Sequence, residues 1–188
     1  MTLDIYLVRH GETEWTLSGQ HTGRTDLPLT PKGEAEARPL QSRLSGMTFD
    51  AVFSSPLQRA VHTAEIAGFQ HPRLTPLLRE FDYGEYEGIT TKEIHAKRPG
   101  WELYRDGCPG GETPAQVYER ALEFIRLCES TGGRVIAFAH GHILRAVGAA
   151  WLRLEITVAA GLELDVATLS RLRDDDERGR LLAMWNAP

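Results

Sequence analysis

Residues 7–13, Leu-Val-Arg-His-Gly-Glu-Thr, set a guanidinium, an imidazole and a glycine directly behind a short apolar run. An imidazole is a competent nucleophile at neutral pH when one ring nitrogen is unprotonated and the other donates to a fixed acceptor. Beside it, Arg9 can present its planar fork to phosphate oxygens, and Gly11 permits a tight turn that brings backbone close to a ligand. This combination suits phosphoryl transfer through His10. A histidine merely satisfied at a strand end would carry the same short signature, so the motif has to be judged with its partners.

A phosphate monoester carries negative charge that moves during transfer, so catalysis is mostly positioning and electrostatic complement. The chain supplies candidates for both. Ser54-Ser55-Pro56-Leu57-Gln58-Arg59 puts Arg59 in the first turn of an expected helix, where free backbone N–H groups favour anions. Phe138-Ala139-His140-Gly141-His142 places a further imidazole and glycine after another apolar run. His140 and His142 could also be read as metal ligands, but His21, His62, His71 and His95 have no spacing that completes a site. A phosphate contact at 140 and a pocket-rim or structural role at 142 explain the pair with less, and no metal or cofactor is expected.

These residues need elements to hold them. Strands are expected at Asp4–Val8, Ala51–Ser54 and Arg134–Ala139, each apolar as strands buried on both faces are. Thr30-Pro31, Ser55-Pro56 and Thr113-Pro114 each offer an N-cap before a first-turn proline, and Thr113 with Gln116 fits a capping box. Helices are therefore expected near 31–44, 56–67, 114–130 and 142–151, with a short one around 91–97. Thr168–Leu172 and Arg180–Met184 read as an antiparallel hairpin whose longer loop carries the acid run 174–177, taken as a solvated turn. Alternating strands and helices imply an α/β fold: a largely parallel, mixed sheet covered on both faces, with ligands beyond the carboxyl ends of its strands.

Length and composition bound the alternatives. The 188 residues, 41% apolar and 25% charged, fit a single domain over 1–188 with a substantial core. A net charge of −5 disfavours a general nucleic-acid surface. Two cysteines, Cys108 and Cys128, imply no disulfide framework. No apolar run approaches the ~18 residues of a membrane span, and the N-terminal run is too short for a secretory signal. The cytoplasm is the expected compartment. The segment 81–112, with six glycines and Tyr83, Tyr86, Trp101 and Tyr104, is the expected substrate cover.

Further motifs carry a resemblance. Arg9-His10-Gly11-Glu12-Thr13-Glu14-Trp15, Thr22-Gly23 with Asp26-Leu27-Pro28-Leu29-Thr30, Ser54-Ser55-Pro56 with Arg59-Ala60, Arg79-Glu80 with Tyr83-Gly84, Gly110-Gly111-Glu112-Thr113 and Ala139-His140-Gly141 run through nearly the whole chain. In these the sequence resembles the histidine phosphatase superfamily, in its phosphoglycerate-mutase-like branch. The resemblance implies a three-layer α/β/α sandwich, His10 as the phosphorylated nucleophile, and a positive phosphate pocket of Arg9, Arg59 and His140 with Gly141. It makes Glu80 the proton donor and sets Thr22, Gly23 and Tyr83 on the substrate side. A carboxyl near phosphate should have its pKa raised, which suits that acid role. Thr16 stands where many mutases of the family carry Asn.

Residues 101–108, with 18–23, look like the subgroup of sedoheptulose-bisphosphatase-like enzymes and broad acid phosphatases. Phosphoglycerate mutases resemble one another in a longer basic insertion after the Glu80 loop, and 89–110 is short here. Hydrolysis of a small phosphate ester is therefore expected. A mutase remains the alternative, and a catalytically silent binding domain a further one, although His10 and Glu80 both stand. A symmetric homodimer is the default assembly.

Overall fold

The structure, a computed structural model, describes residues 2–188. Its centre is a six-stranded mixed sheet. β1 (Asp4–Arg9), β2 (Ala51–Ser54), β3 (Arg73–Leu74) and β4 (Arg134–Ala139) run parallel. β5 (Leu169–Asp175) and β6 (Gly179–Ala187) add an antiparallel edge, giving the order β3-β2-β4-β1-β5-β6.

Side chains alternate across a strand, so each central strand feeds two cores. Ile5 and Leu7 of β1, with Val135 and Ala137 of β4, pack under α6 (Pro114–Thr131) and α7 (Gly141–Trp151). Tyr6, Val8, Ile136 and Phe138 face the opposite way, onto Ala37, Leu40 and Leu44 of α2 (Pro31–Leu44) and Ala64 of α3 (Gln58–Ile66). The three expected layers follow from this. In α6, Val117, Ala121, Phe124 and Cys128 recur every three or four residues and are fully buried. Each such Val or Phe contributes about 1.5–3 kcal/mol of burial.

Helix starts follow the punctuation with one exception. Thr30 Oγ1 accepts from Gly33 N at 3.0 Å, and Thr113 and Gln116 form a full capping box. Ser55 does not cap a helix at Pro56; α3 begins at Gln58 with Leu57 in the cap position and no side-chain bond from it. Asp26 caps from outside instead, its Oδ1 accepting from Gln58 N at 2.8 Å, which leaves the Ser55 hydroxyl for another partner.

The anticipated short helix is α4 (Thr91–Lys97), and the short elements beyond those expected are α1 (Glu14–Ser18), α5 (Leu103–Asp106) and β3. They carry too few residues for a periodic signal. The hairpin loop is tighter than expected: Asp174 pairs with Arg180 and Asp175 with Gly179 inside the ladder. Asp175 Oδ1 accepts from Glu177 N and Arg178 N, closing the turn in three residues. Of the segment 81–112, Phe81, Trp101 and Tyr104 are core residues, so it is partly interior rather than a cover alone.

Candidate active site

Topology brings the first residues together. β1 and β4 are neighbours with Arg9 opposite Ala139, so His10 and His140 leave the sheet side by side, ring centroids 5.1 Å apart. On the far side of β4, Ser54 pairs with Phe138, which sets Ser55 next to His140. Three parallel strands thus end on one crevice, the place where such sheets bind ligands.

The His10 ring is fixed by its own turn. Nδ1 donates to the carbonyl of Gly11 at 2.7 Å, which leaves the Nε2 lone pair free. Burial, then the charges of Arg59 and Arg9, hold its pKa well below the usual histidine range, so the ring is neutral at neutral pH. Gly11 serves packing more than ligand approach. A Cβ on it would lie 2.3 Å from Gly33 O, and one on Gly33 would lie 2.2 Å from Glu12 O. The two glycines let the start of α2 close onto the His10 turn. Glu12 locks that contact, accepting from Thr30 Oγ1 at 2.9 Å and Lys32 Nζ at 2.8 Å.

Beneath the crevice lies Arg59, wholly buried. Its Nε donates to His140 Nδ1 at 3.1 Å, Nη1 to Thr25 O, and Nη2 to Thr22 O and Gly23 O. His140 therefore carries its proton on Nε2 and donates to Ser55 Oγ at 2.8 Å. Burial and the Arg59 charge hold His140 well below the usual histidine range. Of the three cations expected around the phosphoryl group, Arg9 and Arg59 carry charge and His140 is a neutral imidazole bonded to Arg59. Arg9 bonds to Leu164 O, while its buried Nε has no hydrogen-bond partner. Gly141 makes room for it, since a Cβ there would come within 3.3 Å of the guanidinium.

Glu80 sits on the first turn of α7. Its Oε1 accepts from Phe81 N and Ile143 N, both at 2.9 Å, and its Oε2 from His142 N at 3.0 Å. Burial pushes its pKa up, but the His142 side chain, the neighbouring His140 and these N–H donors outweigh it and hold the carboxyl well below its usual range. In the free site Glu80 is a carboxylate; the raised pKa expected beside a phosphate concerns the occupied site.

A cavity of about 230 Å³ opens over these groups. Arg9, His10, Glu80, Gly141, Thr22 and Tyr83 line it as expected. Arg59, His140 and Gly23 do not: the first two are wholly buried with their nitrogens bonded to protein partners, so the expected direct phosphate contact at 59 and 140 is not what the free site shows. Gly23 donates its N–H to the Glu87 carboxylate at 3.0 Å and borders a second cavity of about 460 Å³, which Glu80 also lines, with Arg24, Arg79 and Arg120. Thr16 reaches the rim, but its hydroxyl is taken by Thr13 N and Thr13 O, both at 2.8 Å. Sequence reasoning missed Arg145 and His21, which line the cavity together with His142, the residue expected at the pocket rim or in a structural role. The spacing of His142 and Arg145, one turn apart on α7, was the available signal.

Among the described residues no group of three or more His, Cys, Asp or Glu could hold a metal ion, and no helix is long and apolar enough to cross a membrane. His140 and His142 have other partners, Arg59 with Ser55 and Tyr83 respectively.

Fold and site together define a phosphatase that works on small phosphate esters. The chain belongs to the histidine phosphatase superfamily (branch 1), whose pattern matches residues 5–187. It is 38% identical over 169 residues to an acid phosphatase of Mycobacterium tuberculosis, covering 88% of this chain and 83% of that one. It is 36% identical over 190 residues to the sedoheptulose 1,7-bisphosphatase of Saccharomyces cerevisiae, covering 83% and 70%. The solved structure of an M. tuberculosis open reading frame superposes with a TM-score of 0.93 at 34% identity, over 98% of this chain and 97% of that one. Phosphoglycerate mutases are also among its relatives.

Proposed function

We propose that this protein hydrolyses small phosphate monoesters, with sugar phosphates or bisphosphates as the foremost class, in two steps through a phosphohistidine on Nε2 of His10. The bond from Nδ1 to Gly11 O carries this reading, because it fixes a neutral tautomer with Nε2 free in the field of the Arg59 and Arg9 guanidinium groups.

In the first step His10 Nε2 attacks phosphorus as the ester oxygen leaves with a proton from Glu80. In the second, water attacks the phosphohistidine and returns a proton to Glu80. Arg9 lines the cavity and sets its guanidinium charge against the phosphoryl oxygens. Arg59 contributes its charge and holds the Thr22–Gly23 loop through its carbonyls. A phosphate docking beside Glu80 raises the affinity of the carboxylate for a proton, which turns the free-site base into an acid. Similarity to an acid phosphatase and a sedoheptulose bisphosphatase supports the substrate class. The net charge of −5 supports a small-molecule ester over a nucleic acid.

The test is phosphate release, in chelator, from sugar mono- and bisphosphates, an aryl phosphate and phosphoglycerates, with His10→Ala in parallel and acid-quench trapping of phosphohistidine. Release that vanishes in His10→Ala supports hydrolysis. Isomerisation of phosphoglycerate with little release makes the protein a mutase, and absence of both turnover and phosphohistidine refutes the mechanism.

A further inference from the structure

Glu80 has to give up a proton, yet the free site holds it as a carboxylate on three backbone N–H groups. Something near it has to supply the first proton. The ring of His142 lies beside it, with Nδ1 3.6 Å from Glu80 Oε2. The same Nδ1 is 2.6 Å from the hydroxyl of Tyr83, whose pKa burial pushes well above its usual value, so this phenol stays protonated. While His142 is neutral, Tyr83 donates to Nδ1 and the ring proton sits on Nε2. The ring also lines the cavity and is part exposed, so it exchanges protons with solvent.

Groups on every side hold this ring. Tyr104 donates its hydroxyl to the His142 carbonyl at 2.9 Å, with its ring 5.8 Å away. His21 lies at 6.0 Å and is neutral, its pKa lowered to about 4 by burial and by His142. Arg145, on the same helix, rests over Tyr104 at 5.3 Å. Glu80 is thus the one carboxylate among the residues lining the cavity that lies within contact of His142.

We propose that Glu80 and His142 share one proton, and that His142 delivers it to Glu80 for departure of the ester oxygen. This rests on the function proposed above. The proton moves from Nδ1 of the imidazolium to Glu80 Oε2, leaving a neutral ring that accepts the Tyr83 hydroxyl. It passes to the leaving oxygen as that oxygen takes the electron pair of its bond to phosphorus and His10 Nε2 bonds to phosphorus. When water attacks, its proton goes to Glu80, the new P–O bond forms, and the P–N electron pair returns to His10. The pair again holds one proton. His142 acts through Glu80 and is a positioning residue for the acid.

The experiment compares single-turnover phosphorylation of His10 by a sugar phosphate, whose alkoxide needs a proton to leave, and by 4-nitrophenyl phosphate, whose nitrophenolate does not. Wild type, Glu80→Gln, His142→Gln and Tyr83→Phe are measured across pH. For the sugar phosphate near neutral pH, Glu80→Gln should lose about 100-fold or more and His142→Gln about 10-fold, with the aryl ester little affected in both. In His142→Gln the sugar-phosphate rate should also move to lower pH, because Glu80 must then draw its proton from solvent. Tyr83→Phe removes the donor that favours neutral His142 and should shift the alkaline limb to higher pH, which keeps the test usable if His142→Gln fails to fold. Equal losses on both esters in His142→Gln with an unmoved pH profile, while Glu80→Gln stays selective, overturn the shared proton alone. A Glu80→Gln variant with no leaving-group selectivity overturns the acid role of Glu80 as well.

Discussion

Ser55→Ala should destabilise this protein by about 2–3 kcal/mol although it deletes a single oxygen. His140 Nε2 donates to Ser55 Oγ at 2.8 Å and Leu57 N donates to the same atom at 3.3 Å. Both Ser55 and His140 are fully buried, so water cannot replace the lost acceptor. Stranding the imidazole N–H costs about 1–3 kcal/mol, and the longer Leu57 bond adds a fraction of that. The ring cannot escape by changing tautomer, because Nδ1 then turns a proton toward the Arg59 Nε–H that now donates to it. Urea unfolding should show the loss with an unchanged slope, and the melting temperature should fall by about 4–12 °C for a chain of this size. Turnover should fall too, since His140 neighbours His10 across the strand ends. A loss below about 0.5 kcal/mol would refute the assigned tautomer and with it the reading of His140 as a neutral donor.

Gly33→Ala sets a Cβ 2.2 Å from Glu12 O, so α2 must move off the His10 turn; we expect a penalty of about 3 kcal/mol and reduced phosphohistidine formation, read by calorimetry and acid-quench trapping. Glu87→Ala frees Gly23 N and Thr25 N, which its carboxylate accepts at 3.0 Å; KM should rise several-fold with kcat less affected, checked by steady-state kinetics. For His21 the folded pKa is about 4 against 6.5, so its share of stability is present above pH 6.5 and lost as pH falls toward 4. That share is up to about 3 kcal/mol, and urea midpoints of His21→Gln should be flatter than wild type over this window.

Much of this was legible in the chain. Apolar runs at 4–8, 51–54 and 134–139, with Thr-Pro starts at 30–31 and 113–114, depend only on local backbone chemistry, and the folded elements begin where they indicate. The order of the motifs named His10, Glu80, Arg9, Arg59 and His140 as residues to examine. What residues 55, 59, 80 and 142 do for one another could not be read there. That β1 lies against β4, so that His10 and His140 stand together, is set by sheet order. That Asp26 caps α3 and frees Ser55 for His140 depends on a loop 29 residues away from Ser55 closing back onto it. The charge states were hidden for the same reason: burial and a guanidinium make His140 neutral, and the His142 side chain with the N–H groups at the start of α7 holds Glu80 as a carboxylate. Sequence determines which ionisable groups exist, whereas their proton affinities depend on distances and solvent exclusion, which only the tertiary structure decides.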